Sequence, residues 1–229
     1  TLQSLVAPTD RVLISPSGAD AALFQGASPE MAPPTFLAVG RFVPKKGPLL
    51  TLAAFERLQH QLPESLASAC RLVMVGDGPM LEEAKRLVHQ QSLTTQVRFA
   101  GVLSPAEIAA LMRQVRGFVQ HSLVAPDGDS EGSPVAVMEA QLSGLPVVAT
   151  RHAGIPEVVM DGSTGILVEE GDVQAMANAM AQLVRDPPLA ARLGAAGHKR
   201  MSLNFTVEHH LAAVSALLHR VAQQGAFPR

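Results

Sequence analysis

The sequence predicts an α/β fold, a Rossmann-like doubly wound parallel sheet with helices on both faces. From residue 35 onward, short strands rich in Val, Leu and Phe alternate with amphipathic helices. That order builds a parallel sheet covered on both sides. Three of the strands run directly into a glycine, at Gly40, Gly76 and Gly101. The 229 residues are 47% hydrophobic and 17% charged, enough apolar material for one large α/β domain or two small ones.

Residues 11–20 read as a short strand ending in a Pro/Gly turn, with no sequence neighbour to pair with, and the Ala-, Pro- and Ser-rich stretch to Pro34 as a linker. This sets residues 1–34 apart from a domain over 35–229. Residues 35–39 form a buried-type strand, followed by a loop to Gly47. A helix over 49–62 carries Leu52, Phe55, Leu58 and Leu62 on one face. Residues 71–75 form the next strand, closed by Gly76-Asp77-Gly78-Pro79 and a helix to about Gln90. After a strand over 96–100, Ser104-Pro105-Ala106-Glu107 has the spacing of a capping box. A strand over 117–120 leads through a polar loop into a helix, with Ser133 as its N-cap and Pro134 at the first helical position. Gly144 stops that helix. Strands at 145–150 and 165–168 follow, then helices over 173–185, 188–194 and 207–223. In the last, Val207, Leu211, Val214, Leu218 and Val221 make one stripe.

A net charge of -2 predicts no binding to nucleic acid by electrostatics. No run approaches a membrane span, and no signal peptide is visible. The lone Cys70 rules out an internal disulfide and fits a reducing compartment. The chain begins at Thr1 rather than Met, as an excised piece of something longer would.

Ligands of such sheets bind in the crevice beyond the strand C-termini, and three loops with unusual chemistry lie there: 41–47, 76–79 and 127–134. Arg41 offers a planar fork of donors and Lys46 a point charge, a pairing suited to a diphosphate or to a solvated loop. Lys45 is expected to be the more exposed lysine. Gly132, Ser133 and Pro134 stand at a helix N-terminus, where free N–H groups and the macrodipole favour an anion. Glu139 projects from a helix apolar almost all round, and Glu131 sits just before that helix. A buried carboxylate needs a partner: for Glu139, either ribose hydroxyls or an ion pair with a residue such as Arg151. Gly76-Asp77-Gly78 is a partial dinucleotide fingerprint, with Leu81 in place of the third glycine. Asp127-Gly128-Asp129 could hold a divalent metal or simply fill a turn. No histidine pair has zinc-site spacing, and His121 and His152, which follow strands, could face the crevice.

Together these stretches carry a resemblance. The run 39–47 (Val-Gly-Arg-Phe-Val-Pro-Lys-Lys-Gly), Val75-Gly76-Asp77-Gly78-Pro79, the Glu131/Glu139 pair spaced E-x7-E, Ser143-Gly144-Leu145-Pro146, and Gly154-Ile155-Pro156-Glu157 occur in that order. This resembles the C-terminal, donor-binding half of the family-four retaining glycosyltransferases (glycosyl transferases group 1), which have the GT-B fold of two facing Rossmann-like domains. The resemblance covers residue 11 to the end.

It implies an NDP-sugar donor (UDP-, GDP- or ADP-hexose), a glycan or lipid-linked acceptor, no metal or other cofactor, and no nucleic-acid partner. Glu131, Arg41 and Lys46 would be catalytic: Arg41 and Lys46 would hold the diphosphate and stabilise the departing nucleotide, and Glu131 would contact the transferred sugar. Gly40, Arg41, Lys46, Val102, Gly132, Ser133, Pro134 and Glu139 would bind the donor, with Glu139 on the ribose and the Val102 backbone at the base. The resemblance further implies a cytoplasmic protein or one peripheral to the inner face of the membrane. The family's N-terminal, acceptor-binding domain has no counterpart here beyond residues 11–20 and Phe24, so little transfer is expected from this half alone. Its first strand would be mobile or borrowed by another copy in a strand-exchanged dimer. A GT-B sugar-nucleotide 2-epimerase and a non-catalytic nucleotide-binding module are the alternatives, and an NAD dehydrogenase lacks its full fingerprint.

Overall fold

A computed structural model describes residues 13, 15–132 and 134–223. The strand expected over 11–14 lies, apart from Leu13, outside the described residues, as does Ser133.

Six strands form one parallel sheet: β1 (Thr35–Val39), β2 (Arg71–Val75), β3 (Val97–Gly101), β4 (Gly117–Gln120), β5 (Val147–Thr150) and β6 (Gly165–Val168). Their spatial order is β3-β2-β1-β4-β5-β6. The chain therefore reverses direction across the sheet between β1 and β4, and the crevice beyond their C-termini is the switch point where doubly wound sheets take ligands. β1 and β2 pair in register along their whole length, Thr35 opposite Arg71 through Val39 opposite Val75.

The period-two alternation of the strands divides the core into two layers. Phe36, Leu72, Met74, Val119 and Val148 face α1 (Pro48–Gln61), α3 (Leu81–Gln90) and α7 (Val173–Arg185). Leu37, Val73, Phe118, Val147 and Ala149 face α4 (Pro105–Met112), α5 (Val135–Ser143) and α8 (Pro187–Asn204). Every residue of β4 and β5 is buried, as central parallel strands require. α4 opens on the full capping box, the Ser104 side chain accepting from Glu107 N–H and the Glu107 carboxylate accepting from Ser104 N–H.

Four elements differ from expectation. Single turns α2 (Glu64–Ala67) and α6 (Ile155–Val158) fall in stretches for which the sequence predicts no element, being too short to show a 3.6-residue period. α5 begins at Val135, with Pro134 as its N-cap (φ -80, ψ 70) and without a side-chain cap bond, one residue later than expected. The helix expected to end at Gly194 continues to Asn204. Gly194 is there because a Cβ would lie 2.0 Å from the Gly144 carbonyl oxygen, so it lets α8 pack against the end of α5 rather than stopping the helix.

The stretch read as a linker is pinned to the domain. Ala19, Phe24 and Ala32 are buried, and Ala19 N–H donates to Phe205 O at 3.0 Å while Val207 N–H donates to Ala19 O at 3.1 Å. α9 (Val207–Gln223) forms as expected but has no buried residue, and Leu211, Leu218 and Val221 of its stripe are exposed.

Candidate functional site at the sheet switch point

The loop leaving β1 is shaped by the loop leaving β2. Gly76 and Gly78 have φ of 131° and 152°, and a Cβ on either would strike the Gly40 or Phe42 carbonyl oxygen, at 2.0 and 2.6 Å. Phe42 N–H donates to Asp77 O at 2.9 Å, and Met80 N–H to Phe42 O at 3.0 Å. The two glycines thus seat the 40–42 turn rather than form a dinucleotide fingerprint. Phe42 turns into the core while its neighbour Arg41 stands exposed, without an ion pair among the described residues. Gly40, Arg41, Gly76, Asp77, Gly78, Val102, Leu103 and Ile108 line a cleft of about 450 Å³. Val102 is 77% exposed at its rim.

Beyond Arg41, a single 3-10 turn over Pro44–Lys46 aims both lysines at the loop between β4 and α5. Lys46 Nζ forms an ion pair with Glu131 Oε2, both side chains largely shielded. Lys45 is, as expected, the more exposed, 25% against 18%. It is nonetheless tethered: its Nζ lies 3.0 Å from Asp129 Oδ1 and donates to Ser130 O at 3.3 Å, and its carbonyl accepts from Leu123 N–H. Asp129 is thereby committed to Lys45. Asp127 accepts from Asp129 N–H at 3.0 Å and closes the turn.

The same loop is held from below by groups the sequence reading left without roles. Gln120, at the end of β4 and buried, donates to Ser122 Oγ at 2.7 Å and reaches Glu131 Oε2 at 3.5 Å. His152, two residues past β5, accepts the Glu131 N–H on Nε2 at 3.0 Å and meets the Glu170 carboxylate through Nδ1 at 2.6 Å. Glu170 also accepts from Val124 N–H at 3.0 Å. Burial opposes its ionisation, but these bonds and the His152 and His121 rings hold its carboxyl below the ordinary range. His121 accepts from Gly171 N–H at 2.9 Å. Burial pushes it down to about 4, against the pull of Glu170 and Asp172, so its ring is neutral. Only the position of the two histidines after strands hinted at this. Glu170 sits in a Glu-Glu-Gly-Asp turn that reads as solvated surface.

Glu139 stands one turn into α5. The alternative ion pair is not made: Arg151 instead pairs with Asp161 and, at 3.3 Å, with Glu169. Glu139 has no hydrogen bond or ion pair among the described residues, and burial pushes its carboxyl up to about 7. Of the candidates, then, Gly40, Arg41 and Val102 share the cleft, and Lys46 and Glu131 are paired. Exposed Gly132 and buried Pro134 flank Ser133 at the start of α5, and Glu139 makes no polar contact with the other described candidates.

A six-stranded parallel sheet in this order, with a basic loop after β1 facing an acidic loop after β4, defines a Rossmann-like half of the GT-B type. Residues 21–200 match the family described as glycosyl transferases group 1, and the chain belongs to it. WcaL of Salmonella typhimurium, named as a colanic acid biosynthesis glycosyltransferase, is 35% identical over 187 residues, 80% of this chain and 45% of that protein. A GDP-mannose-dependent alpha-(1-6)-phosphatidylinositol monomannoside mannosyltransferase of Mycolicibacterium smegmatis is 33% identical over 165 residues, 72% of this chain and 42% of its own length. The chain thus spans less than half the length of these curated relatives. Anabaena Alr3699/HepE, solved with UDP and glucose, superposes with a TM-score of 0.75 at 23% identity, over 89% of this chain and 55% of its own, which establishes the shared fold. No helix among the described residues is long and apolar enough to cross a membrane.

Proposed function

We propose that this chain binds the nucleotide-sugar donor of a retaining hexosyltransferase that glycosylates a glycan or lipid-linked acceptor. The Lys46–Glu131 ion pair beside Arg41 at the switch point carries the reading. A largely shielded cation matched by one loop carboxylate is ready to exchange it for a phosphate. A diphosphate taken by Arg41 and Lys46 would leave Glu131 free to accept hydrogen bonds from sugar hydroxyls, within the same few ångströms. Arg41 and Lys46 then stabilise the charge that develops on the leaving nucleotide. With two cations for that task and Asp129 engaged by Lys45, we propose that no metal is required.

Glu139, which has no polar partner among the described residues, suits ribose hydroxyls, and Val102 at the cleft rim suits contact with the base. The names of the relatives support this reading: one depends on GDP-mannose and acts on a phosphatidylinositol mannoside, another is named for polysaccharide biosynthesis, and the superposed structure holds UDP and glucose. We further propose that this chain acts on the cytoplasmic side, free or against the inner face of a membrane. Acceptor binding is assigned to a further domain of the kind the longer relatives have room for.

Calorimetry with UDP, GDP, ADP and their hexose conjugates tests the proposal. One nucleotide series is expected to bind, and Arg41→Ala and Glu139→Gln to weaken it. Binding of none, or equal binding by the variants, overturns it.

A further inference from the structure

Three strand-end loops meet around Glu131, and the second of them is shaped to receive it. Directly after His152 comes Ala153, whose φ of 45° is in the left-handed region that a non-glycine residue enters only at a cost. Next is Gly154, where a Cβ would stand 2.6 Å from the Gly132 carbonyl oxygen. The segment 152–154 therefore holds the backbone on either side of Glu131: an imidazole on the Glu131 N–H, and a glycine under the Gly132 carbonyl.

The chemistry of the imidazole is fixed by its partners. A backbone N–H can only donate, so His152 Nε2 must present a lone pair to Glu131. The ring proton must then sit on Nδ1, where the Glu170 carboxylate accepts it. His152 is 2% exposed, so no water can replace either partner without opening the site.

We propose that His152, oriented by Glu170, is a positioning residue for the donor sugar, acting by fixing the backbone of Glu131. The inference rests on the assignment of Glu131 to the sugar made above. The Lys46 ion pair holds the Glu131 carboxylate only until a diphosphate claims the lysine. The His152 bond holds the backbone on the opposite side of the residue and does not compete with ligand, so it keeps Glu131 in place after the exchange. Glu170 extends the hold to the β6–α7 turn, whose Gly171 is tied to His121 on β4's end. The three loops thus form one closed polar circuit beneath the sugar position.

Two measurements on this chain test the inference. In uniformly 15N-labelled protein without ligand, a scalar coupling across the N–H···N bond should link the Glu131 amide to His152 Nε2, with Nε2 unprotonated. A protonated Nε2 overturns the inference. The second measurement compares UDP with UDP-glucose, GDP with GDP-mannose, and ADP with ADP-glucose, in the parent, His152→Phe, Glu170→Ala and Glu170→Gln. Glu170 is partly exposed, so its variants report even where His152→Phe folds poorly.

We expect Glu170→Ala and His152→Phe to bind the bare nucleotide as the parent does. They should lose about ten-fold of the extra affinity the hexose confers, as loss of a hydrogen bond made by the buried imidazole implies. Glu170→Gln, which keeps an acceptor for the Nδ1 proton, should recover most of it. A purely structural role would weaken nucleotide and nucleotide-sugar alike, and that result, or an unchanged hexose increment, overturns this inference alone. If the parent binds none of the six ligands, the donor reading falls and takes this inference with it.

Discussion

Glu139→Gln should stabilise the protein, and only above about pH 5. Glu139 is a half-buried carboxyl with no polar partner among the described residues, and burial moves it from the ordinary 4.5 to about 7. Unfolded, it ionises near 4.5. Between that value and about 7 the folded chain holds a proton that the unfolded chain has lost, so stability falls as pH rises through this window. A displacement of that size corresponds to about 3 kcal/mol, and discounting for partial solvent screening leaves about 2 kcal/mol. Urea unfolding at pH 8 should therefore show Glu139→Gln more stable than the parent by about 2 kcal/mol, with the difference vanishing near pH 4, where the protonated acid and the amide are near-isosteres. The same displacement predicts proton release on ligand binding. Ribose hydroxyls donating to Glu139 favour its charged form, so calorimetry near pH 7 in buffers of different ionisation enthalpy should report about half a proton released per nucleotide bound. Glu139→Gln should report none. A stability difference independent of pH would refute the burial argument, and proton-neutral binding by the parent would refute the ribose assignment.

Lys46→Met leaves the shielded Glu131 carboxylate without its cation and should cost about 1–3 kcal/mol in denaturant unfolding, while lowering nucleotide affinity measured by calorimetry. Gly154→Ala should weaken sugar-nucleotide binding with little effect on the fold, because its φ of -77° suits alanine and only the 2.6 Å approach to Gly132 O is violated. Unchanged affinity would show that the loop adjusts freely. Gly194→Ala should destabilise by about 1–3 kcal/mol, since the new methyl meets the Gly144 carbonyl; unaltered thermal unfolding would contradict that contact. Ser104→Ala, which removes the side-chain cap of α4, should cost about 1 kcal/mol of stability in denaturant unfolding.

The sequence by itself determined the sheet, its long helices and the ends at which ligands would gather. Strand alternation, helical period and the Ser104 cap are local patterns, and each reports on a residue and its close neighbours. It also determined the motif residues Arg41, Lys46, Glu131 and Glu139, because their order along the chain is itself the resemblance. Only the tertiary structure decided what each of them meets. Nothing local could show that Glu139 lacks a cation, since Arg151 lies just downstream and is drawn off by Asp161 and Glu169. Nor could it show why Gly76, Gly78, Gly154 and Gly194 are glycines. Each yields to a carbonyl from another part of the chain, and two of them sit where a loop or a helix end would have used glycine for its own geometry. The hold on Glu131 was the least legible part. Its members, Gln120, His152 and Glu170, come from the ends of β4, β5 and β6, strands that lie side by side. A parallel sheet gathers the C-terminal ends of distant segments at one edge, so the contacts that orient its site are long-range by construction.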